Sequence, residues 1–458
     1  MSVLHDFVED IKQYKEYRRA GNKVEARKKL KYIIFTGLAT VATVVTVITL
    51  IIGAIRRYVY SPSPSPTQVY KIAVVGPETG SEKATWNYIL NGIKTAQLKE
   101  RIGKVEGSSL KIDYFDDAGN VAISQDIARK ICADPGYVLV MGFVESSVAK
   151  PALPIYSNCG LSVILVATTS TTLTAANKNQ WSAPVLRLPP SNDQQAVQVV
   201  NALGDTFGTN PCRLVVFLDG ENKEYSDNLL EQFRNVLGAD KRTRCTIQSR
   251  DVEVFKAGDL EQPLTQNLAG ASSADVILFF GMTDKATKLL AALDKVRRDL
   301  RLPKTKPIVV LSDGSTTSNL IDEAKESARC VWGSFPYGEA RDFMDNIPHE
   351  VADIPSFFAY GHDALLIAMN TISDVGDKVT RETIKVEFQK LAKEKETLRG
   401  MNGIYEFAYD GGLRFFLDPK EQSRILGQYH LWQVRSLSGT LRWDHRTWRD
   451  SLAQGCPD

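Results

Sequence analysis

The sequence predicts an α/β protein: two doubly wound parallel-sheet lobes with a hinge, preceded by a single transmembrane helix. Three features carry that expectation. From Val69 onward, near-continuous apolar, β-rich runs alternate with amphipathic helical patterns, the signature of parallel sheets covered on both faces. The break Leu188-Pro189-Pro190 divides that series into two units. Ahead of it, Tyr32 through Ile55 contains no charged residue.

Taken in chain order, residues 1–31 place Leu4, Phe7, Val8, Ile11 and Tyr14 at helical spacing, which reads as one short amphipathic helix. Such a segment suits a membrane surface or a cytoplasmic partner; a solvated basic tail fits the pattern equally. The run 32–55 would make a helix of roughly 36 Å, enough to cross a ~30 Å hydrocarbon core. Lys12, Lys15, Arg18, Arg19, Lys23, Arg27, Lys28, Lys29 and Lys31 precede it, and only Arg56 and Arg57 follow before Lys71. That asymmetry predicts a cell-membrane, single-pass anchor with a cytoplasmic N-terminus and a periplasmic or extracellular remainder. The long segment ahead of the run and the missing small-residue cleavage site speak for retention rather than removal. Residues 56–67 include Ser61-Pro62-Ser63-Pro64-Ser65-Pro66; each Pro lacks an N–H and forces its predecessor extended, so this reads as a spacer.

The strand expectations for the first unit are Tyr70–Val75, Leu110–Phe115, Tyr137–Met141 and Leu161–Ala167. For the second they are Arg213–Leu218, Thr246–Val254, Asp275–Phe280, Pro307–Leu311 and Val331–Phe335. Helical patterns at Ala122–Cys132, Asp227–Leu237, Lys285–Arg298 and Ala359–Ile372 lie between or beyond them. The resulting division is 68–187 with 337–425 for the first lobe, 188–336 with 426–445 for the second, and a tail over 446–458. Open α/β sheets bind ligands beyond the carboxyl ends of their strands, so the strand-end turns matter most.

The first such turn, Gly76-Pro77-Glu78-Thr79-Gly80-Ser81, is glycine-rich but matches neither phosphate-binding glycine motif. Asp116-Asp117-Ala118-Gly119-Asn120 reads as helix capping or as an acid pair. Gly142-Phe143-Val144-Glu145-Ser146-Ser147 opens a helix; its hydroxyls and free N–H groups suit either a cap or a carboxylate site. Thr168-Thr169-Ser170-Thr171-Thr172 carries more hydroxyls than one cap requires. In the second unit, Asp219 through Tyr225 and Gly281-Met282-Thr283-Asp284 are polar turns. Ser312-Asp313-Gly314-Ser315 sets an acid at a strand end, with a glycine that permits a tight turn. One carboxylate facing a hydroxyl cradle across a cleft suits a zwitterion.

The net charge of +2 leaves the bulk of the chain near neutral, which argues against a nucleic-acid partner. No H-E-x-x-H, C-x-x-C or G-x-S-x-G is present, and the five His are scattered. No enzyme, metal or cofactor is therefore expected. Six Cys all lie beyond residue 55. Cys212 and Cys245 each precede a predicted strand, which brings them within bridging range for a disulfide if those strands are parallel neighbours; six buried thiols are the alternative.

Over Val69 to Trp443 the chain resembles the type I periplasmic binding proteins, in particular the branched-chain amino-acid (Leu/Ile/Val) receptors of ABC importers. The resemblance rests on "YKIAVVGPETG", "LKIDYFDDAGN", "VLVMGFVESSVAKPALPIYSNCGLSVILVATTS", "LVVFLDGENKEYSDNL", "ADVILFFGMTDKATKLLAAL", "PIVVLSDGS" and "GIYEFAYDGGLRFF…GQYHLWQV", in that order. It implies a periplasmic binding protein-like I fold closing over a small polar ligand, an amino acid or related amine or carboxylate. Carried over by position, Ser146 or Ser147 with Thr168 and Thr169 look like a carboxylate cradle. Trp86 looks like the aromatic covering the ligand, Tyr225 the second-lobe aromatic, and Asp313 the acid for an ammonium. The chain departs from those receptors where Met282-Thr283 replaces an aromatic, and where Gly119 and Glu145 replace a Cys pair. Glu145 adds a negative charge beside the cradle. The expected partners are the small-molecule ligand, the membrane through 32–55, and either an ABC permease or a cytoplasmic signalling protein. In the latter alternative the domain is a ligand sensor reporting through residues 1–31.

Overall fold

The computed structural model describes residues 2–59, 68–99, 108–175, 182–255, 260–270, 273–337, 355–376, 378–393, 397–401, 403–407, 428–437, 440–444 and 452. The Ser-Pro spacer from 60 onward, residues 338–354 and 408–425 assigned to the first lobe, and all of the tail except Leu452 lie outside them. The chain divides into two compact units, residues 1–67 and 68–458.

The first unit differs from expectation. Residues 1–31 form not one helix but α1 (Ser2–Arg19) and the start of α2 (Lys23–Val59). Gly21, at φ +77°, makes the reversal, and only glycine reaches that region without steric cost. Lys29 pairs with Asp10 at 2.6 Å across the two helices, and the Phe7 ring reaches Gly37. Among the described residues, no helix is long and apolar enough to cross a membrane. The expectations of a spanning helix over 32–55, a retained anchor and a single-pass placement are corrected accordingly. Freedom from charge is not the same as apolarity. Thr36, Thr43, Thr46 and Thr49 interrupt the run, each hydroxyl donating to a carbonyl one turn back. The same helix also contains the basic stretch from Lys23 to Lys31.

The second unit contains two largely parallel sheets. The first runs β2-β1-β3-β4-β5, built from β1 (Gln68–Gly76), β2 (Ser108–Asp116), β3 (Tyr137–Gly142), β4 (Ser162–Leu165) and β5 (Val185–Arg187). Every pairing in it is parallel. Ile72 and Val74 of β1 face one apolar layer with Trp86, Ile89 and Ile93 of α3 (Lys83–Lys99). Ala73 and Val75 face the opposite layer, which contains Ile127 and Ile131 of α4 (Val121–Ala133) and Ala149, Ala152 and Leu153 of α5 (Ser146–Asn158). A strand buried on both faces cannot alternate polar and apolar residues, which explains the continuous apolar runs.

The second sheet runs β15-β14-β11-β10-β9-β6-β7, with β8 also pairing β6. Its parallel centre is β6 (Pro211–Asp219), β9 (Val276–Phe280), β10 (Ile308–Leu311) and β11 (Trp332–Tyr337). β14 (Gln428–Leu437) joins β11 antiparallel, and β15 (Thr440–Asp444) pairs β14. The single strand expected over 246–254 is two, β7 (Arg244–Thr246) and β8 (Val252–Phe255). The turn Ser249–Asp251 separates them, because the buried Asp251 folds inward to accept from Arg213 at 2.7 Å. β6 and β7 are parallel neighbours with Cys212 opposite Cys245, and the two are disulfide-bonded. Cys132 and Cys159 form a further disulfide. Beside it, the Arg381 guanidinium donates to the carbonyls of Cys132, Asp134 and Cys159, collecting the orphan ends of α4 and α5.

Helix Pro355–Val375 crosses α3 at very short range. Gly92 and Gly361 make this possible: a Cβ on Gly92 would strike the Phe358 carbonyl, and one on Gly361 the Ile89 carbonyl. Gly92→Ala or Gly361→Ala is therefore expected to destabilise the chain by about 1–3 kcal/mol through overpacking. A thermal melt that leaves either variant at the wild-type midpoint would contradict this contact.

Candidate functional site

The candidate site forms where strand carboxyl ends of both sheets meet. In the first lobe, β3 ends at Gly142 (φ +152°), where a Cβ would collide with the Val75 carbonyl. Phe143 follows at φ +72° and is fully buried, its N–H donating to the Val75 carbonyl at 2.9 Å. A bulky residue held in the left-handed region stores strain of order 1–3 kcal/mol, tolerated where the surroundings over-determine it. The reversal delivers Ser146 and Ser147 to the first turn of α5.

The strand ends enclose a cavity of about 20 Å³. The first lobe contributes Thr85, Val144, Ser146, Ala167, Thr169 and Phe357; the second contributes Asn222, Tyr225, Met282, Asp313 and Gly314. Asp313 is buried, accepting from Gln195 Nε2 at 2.6 Å and from the Tyr225 hydroxyl. Gln195 comes from α7 (Asn192–Phe207) and Tyr225 from α8 (Lys223–Ala239). Burial, and then the Asp313 charge, raise the Tyr225 hydroxyl well above its ordinary value, so it remains a donor.

Of the residues singled out from the sequence, Ser146, Thr169, Tyr225 and Asp313 line this cavity together. The other four lie elsewhere. Trp86 is 1 % exposed and packs in the first-lobe core against Gly76 rather than over the cavity. Thr168 is buried with its hydroxyl unpartnered. Thr283, which begins α10 (Thr283–Asp299), shares a 2.8 Å hydrogen bond with Thr317. The Ser147 N–H donates to Asn222 Oδ1 at 3.2 Å, and its hydroxyl accepts from the Glu224 N–H at 3.0 Å. Ser147 thus joins the lobes.

Further contacts close the same junction. Glu224 accepts from Ser170 Oγ at 2.9 Å and from Thr172, and pairs with Lys150 at 2.5 Å. Asn228 accepts from the Thr171 N–H at 3.0 Å and donates to its hydroxyl at 2.8 Å. Much of the hydroxyl-rich run after β4 is therefore committed to the second lobe. Asn222 and Met282 lie in strand-end turns that the sequence marks as polar, whereas nothing local marks Thr85 or Phe357.

Acids crowd the junction. Glu82 is 2 % exposed; burial, and then the nearby Glu145, push its carboxyl up to about 8. Burial raises Glu145 to about 8 as well, helped by Asp219, Asp117 and Asp284 and opposed by Lys285. Burial lifts Asp117 to about 6. Lys285 is held by Glu221 and Asp284 at 2.7 Å each. Among the described residues, no group of three or more His, Cys, Asp or Glu is placed to hold a metal ion.

The sequence profile of the family described as "Periplasmic binding protein" matches residues 69–432, and the chain belongs to that family. Its members are solute-binding proteins. A Leu/Ile/Val-binding protein homolog 2 of Brucella abortus is 27 % identical over 137 residues, which is 30 % of this chain and 36 % of that protein. A homolog 3 from Brucella melitensis is 30 % identical over 105 residues, 23 % of this chain and 28 % of that protein. The match therefore spans about a third of these relatives' length. Among solved structures, the leucine binding protein LivK of Thermotoga maritima superposes with a TM-score of 0.64 at 20 % identity, covering 82 % of this chain and 97 % of that one. LivJ of Streptococcus pneumoniae, in complex with isoleucine, gives 0.62 at 16 %, covering 81 % and 97 %. A Rhodopseudomonas palustris solute binding protein, in complex with 3,4-dihydroxybenzoic acid, gives 0.62 at 14 %, covering 82 % and 95 %. At these identities the likeness establishes the fold.

The raised acids set a pH dependence. The folded chain holds protons on Glu82 and Glu145 that the unfolded chain releases near 4.5. These groups therefore stabilise the fold most below about pH 4.5 and progressively less as pH rises to about 8. Melts between pH 5 and 9 are expected to show Glu82→Gln losing less stability across that window than wild type, by an amount of the order of a few kcal/mol. Parallel curves for the two proteins would contradict the assignment.

Proposed function

We propose that the chain is a solute-binding protein that captures a small polar ligand, an amino acid or related amine–carboxylate compound, between its two lobes. Its role would be to present that ligand to the permease of an ABC importer. One observation carries the proposal: the cavity is lined by Ser146 and Thr169 from the first lobe and by the buried Asp313 from the second. Hydroxyls at the start of α5, with the helix N-terminus behind them, suit a carboxylate. A buried carboxylate suits an ammonium. The isoleucine complex of LivJ and the leucine complex of a Desulfitobacterium hafniense substrate-binding protein share this fold and agree with the reading.

A volume near 20 Å³ admits about one water molecule. An amino acid enters only if the lobes part. The bonds from Asn222, Glu224 and Asn228 to the first lobe are among those that opening must break. The sensor alternative required a spanning helix, and none is found among the described residues.

Addition of the cognate amino acid to the full-length chain at a hundred times its Kd should raise stability by about 2.7 kcal/mol. Asp313→Ala should weaken binding of an amine-bearing ligand by about 3–5 kcal/mol, two to four decades in Kd, measured by calorimetry. Unchanged affinity in that variant would overturn the zwitterion reading.

A further inference from the structure

We infer that the ligand carries a second positive charge, as lysine, ornithine and arginine do, and that Glu82 and Glu145 receive it. This rests on the amino-acid reading above and narrows its ligand class.

Both residues adjoin residues of the cavity wall without lining it themselves. Glu82 accepts from the Thr85 hydroxyl at 3.1 Å through Oε2, and Thr85 lines the cavity. Its other oxygen, Oε1, is buried and has no hydrogen-bond partner. Glu145 lies between two lining residues, Val144 and Ser146. It occupies the N-cap position of α5, yet its side chain caps nothing. It lies instead against Gly119, where a Cβ would come within 2.8 Å of Oε1.

The neighbouring acids are occupied in a way these two are not. Asp117 accepts from the Gly119 N–H at 3.0 Å. Asp219 accepts from the N–H groups of Glu221, Asn222 and Met282. Asp284 pairs with Lys285, whose ammonium is shared with Glu221. Asp117 of the first lobe and Asp219, Asp284 and Lys285 of the second are the charged groups that act on Glu145. Glu145, Asp284 and Asp219 act on Glu82. The balance is negative on both sides of the junction.

A buried carboxylate oxygen without a donor is unfavourable unless the group is protonated or paired. Turn-building accounts for Asp117 and Asp219 but leaves Glu82 Oε1 and the Glu145 carboxylate without a role. No described group is placed to hold a metal, so the complement is an organic cation. Asp313 and the Ser146–Thr169 wall take the α-ammonium and α-carboxylate. The acid pair then takes an ammonium or guanidinium at the far end of the side chain, where charge-assisted hydrogen bonds are strong.

Calorimetry on the full-length chain with L-arginine, L-lysine and L-leucine tests this. Arginine or lysine is expected to bind about tenfold or more tighter than leucine. Glu82→Gln with Glu145→Gln is expected to raise the arginine Kd about tenfold or more. An independent readout needs no variant. Both carboxyls are protonated near neutrality before binding and ionise against the cation, so arginine binding at pH 7.5 should release protons. It should also tighten as pH rises towards 8, the release being seen as a dependence of the binding heat on buffer ionisation enthalpy. Leucine binding tighter than both basic amino acids, or arginine binding without proton release, would overturn the inference and leave the amino-acid reading standing. Failure of every amino acid to bind would overturn both.

Discussion

Parallel strand pairing is the constraint on which the molecule depends. A parallel neighbour is reached only by a crossover, so β1, β3 and β4 all end on one edge of their sheet, as β6, β9 and β10 do on theirs. Covering both faces of each sheet spends the helices on packing and leaves those edges to turns. The turns that result, Gly142–Glu145, Ala167–Thr169, Asp219–Asn222, Gly281–Met282 and Ser312–Gly314, supply most of the residues that line the cavity. Gly142 and Phe143 show how local backbone cost is accepted to obtain that placement.

The junction balances two opposing demands. Ser147, Asn222, Glu224 and Asn228 stitch the lobes together with hydrogen bonds. Glu82 and Asp117 are buried and Glu145 is half-buried among further acids, and all three are held above their ordinary ionisation range. Hydrogen bonds favour contact, whereas burying acids in a low-dielectric junction disfavours their ionisation.

The fold was largely legible because burial leaves a direct mark on composition. β1, β3 and β9 are continuous apolar runs because both faces are covered. The short β5 and the antiparallel β14 and β15 carry weaker marks and were not assigned from sequence. The stretch 246–254 looked continuous because its residues favour strands, but the Arg213–Asp251 pair bends it into two. In residues 1–31 a single positive-φ glycine converted one expected helix into two. Over 32–55, freedom from charge coexists with recurring threonines, so the run is less apolar than its lack of charge suggests.

The site was legible in outline only. Hydroxyls at strand ends and an acid before a glycine are visible in the chain, and Ser146, Thr169, Tyr225 and Asp313 do meet at one cavity. Which hydroxyl points where is a matter of side-chain direction, and direction depends on neighbours far away in sequence. Trp86 turned into the core because Gly76 leaves room for its ring there. Ser147 and Ser170 turned to the second lobe because α8 brought Asn222 and Glu224 to them. The sequence by itself determined the alternation of strands and helices, because burial of apolar surface acts locally and periodically. Only the tertiary structure decided which carboxylates share a buried junction, because that requires two lobes, distant in sequence, to face each other.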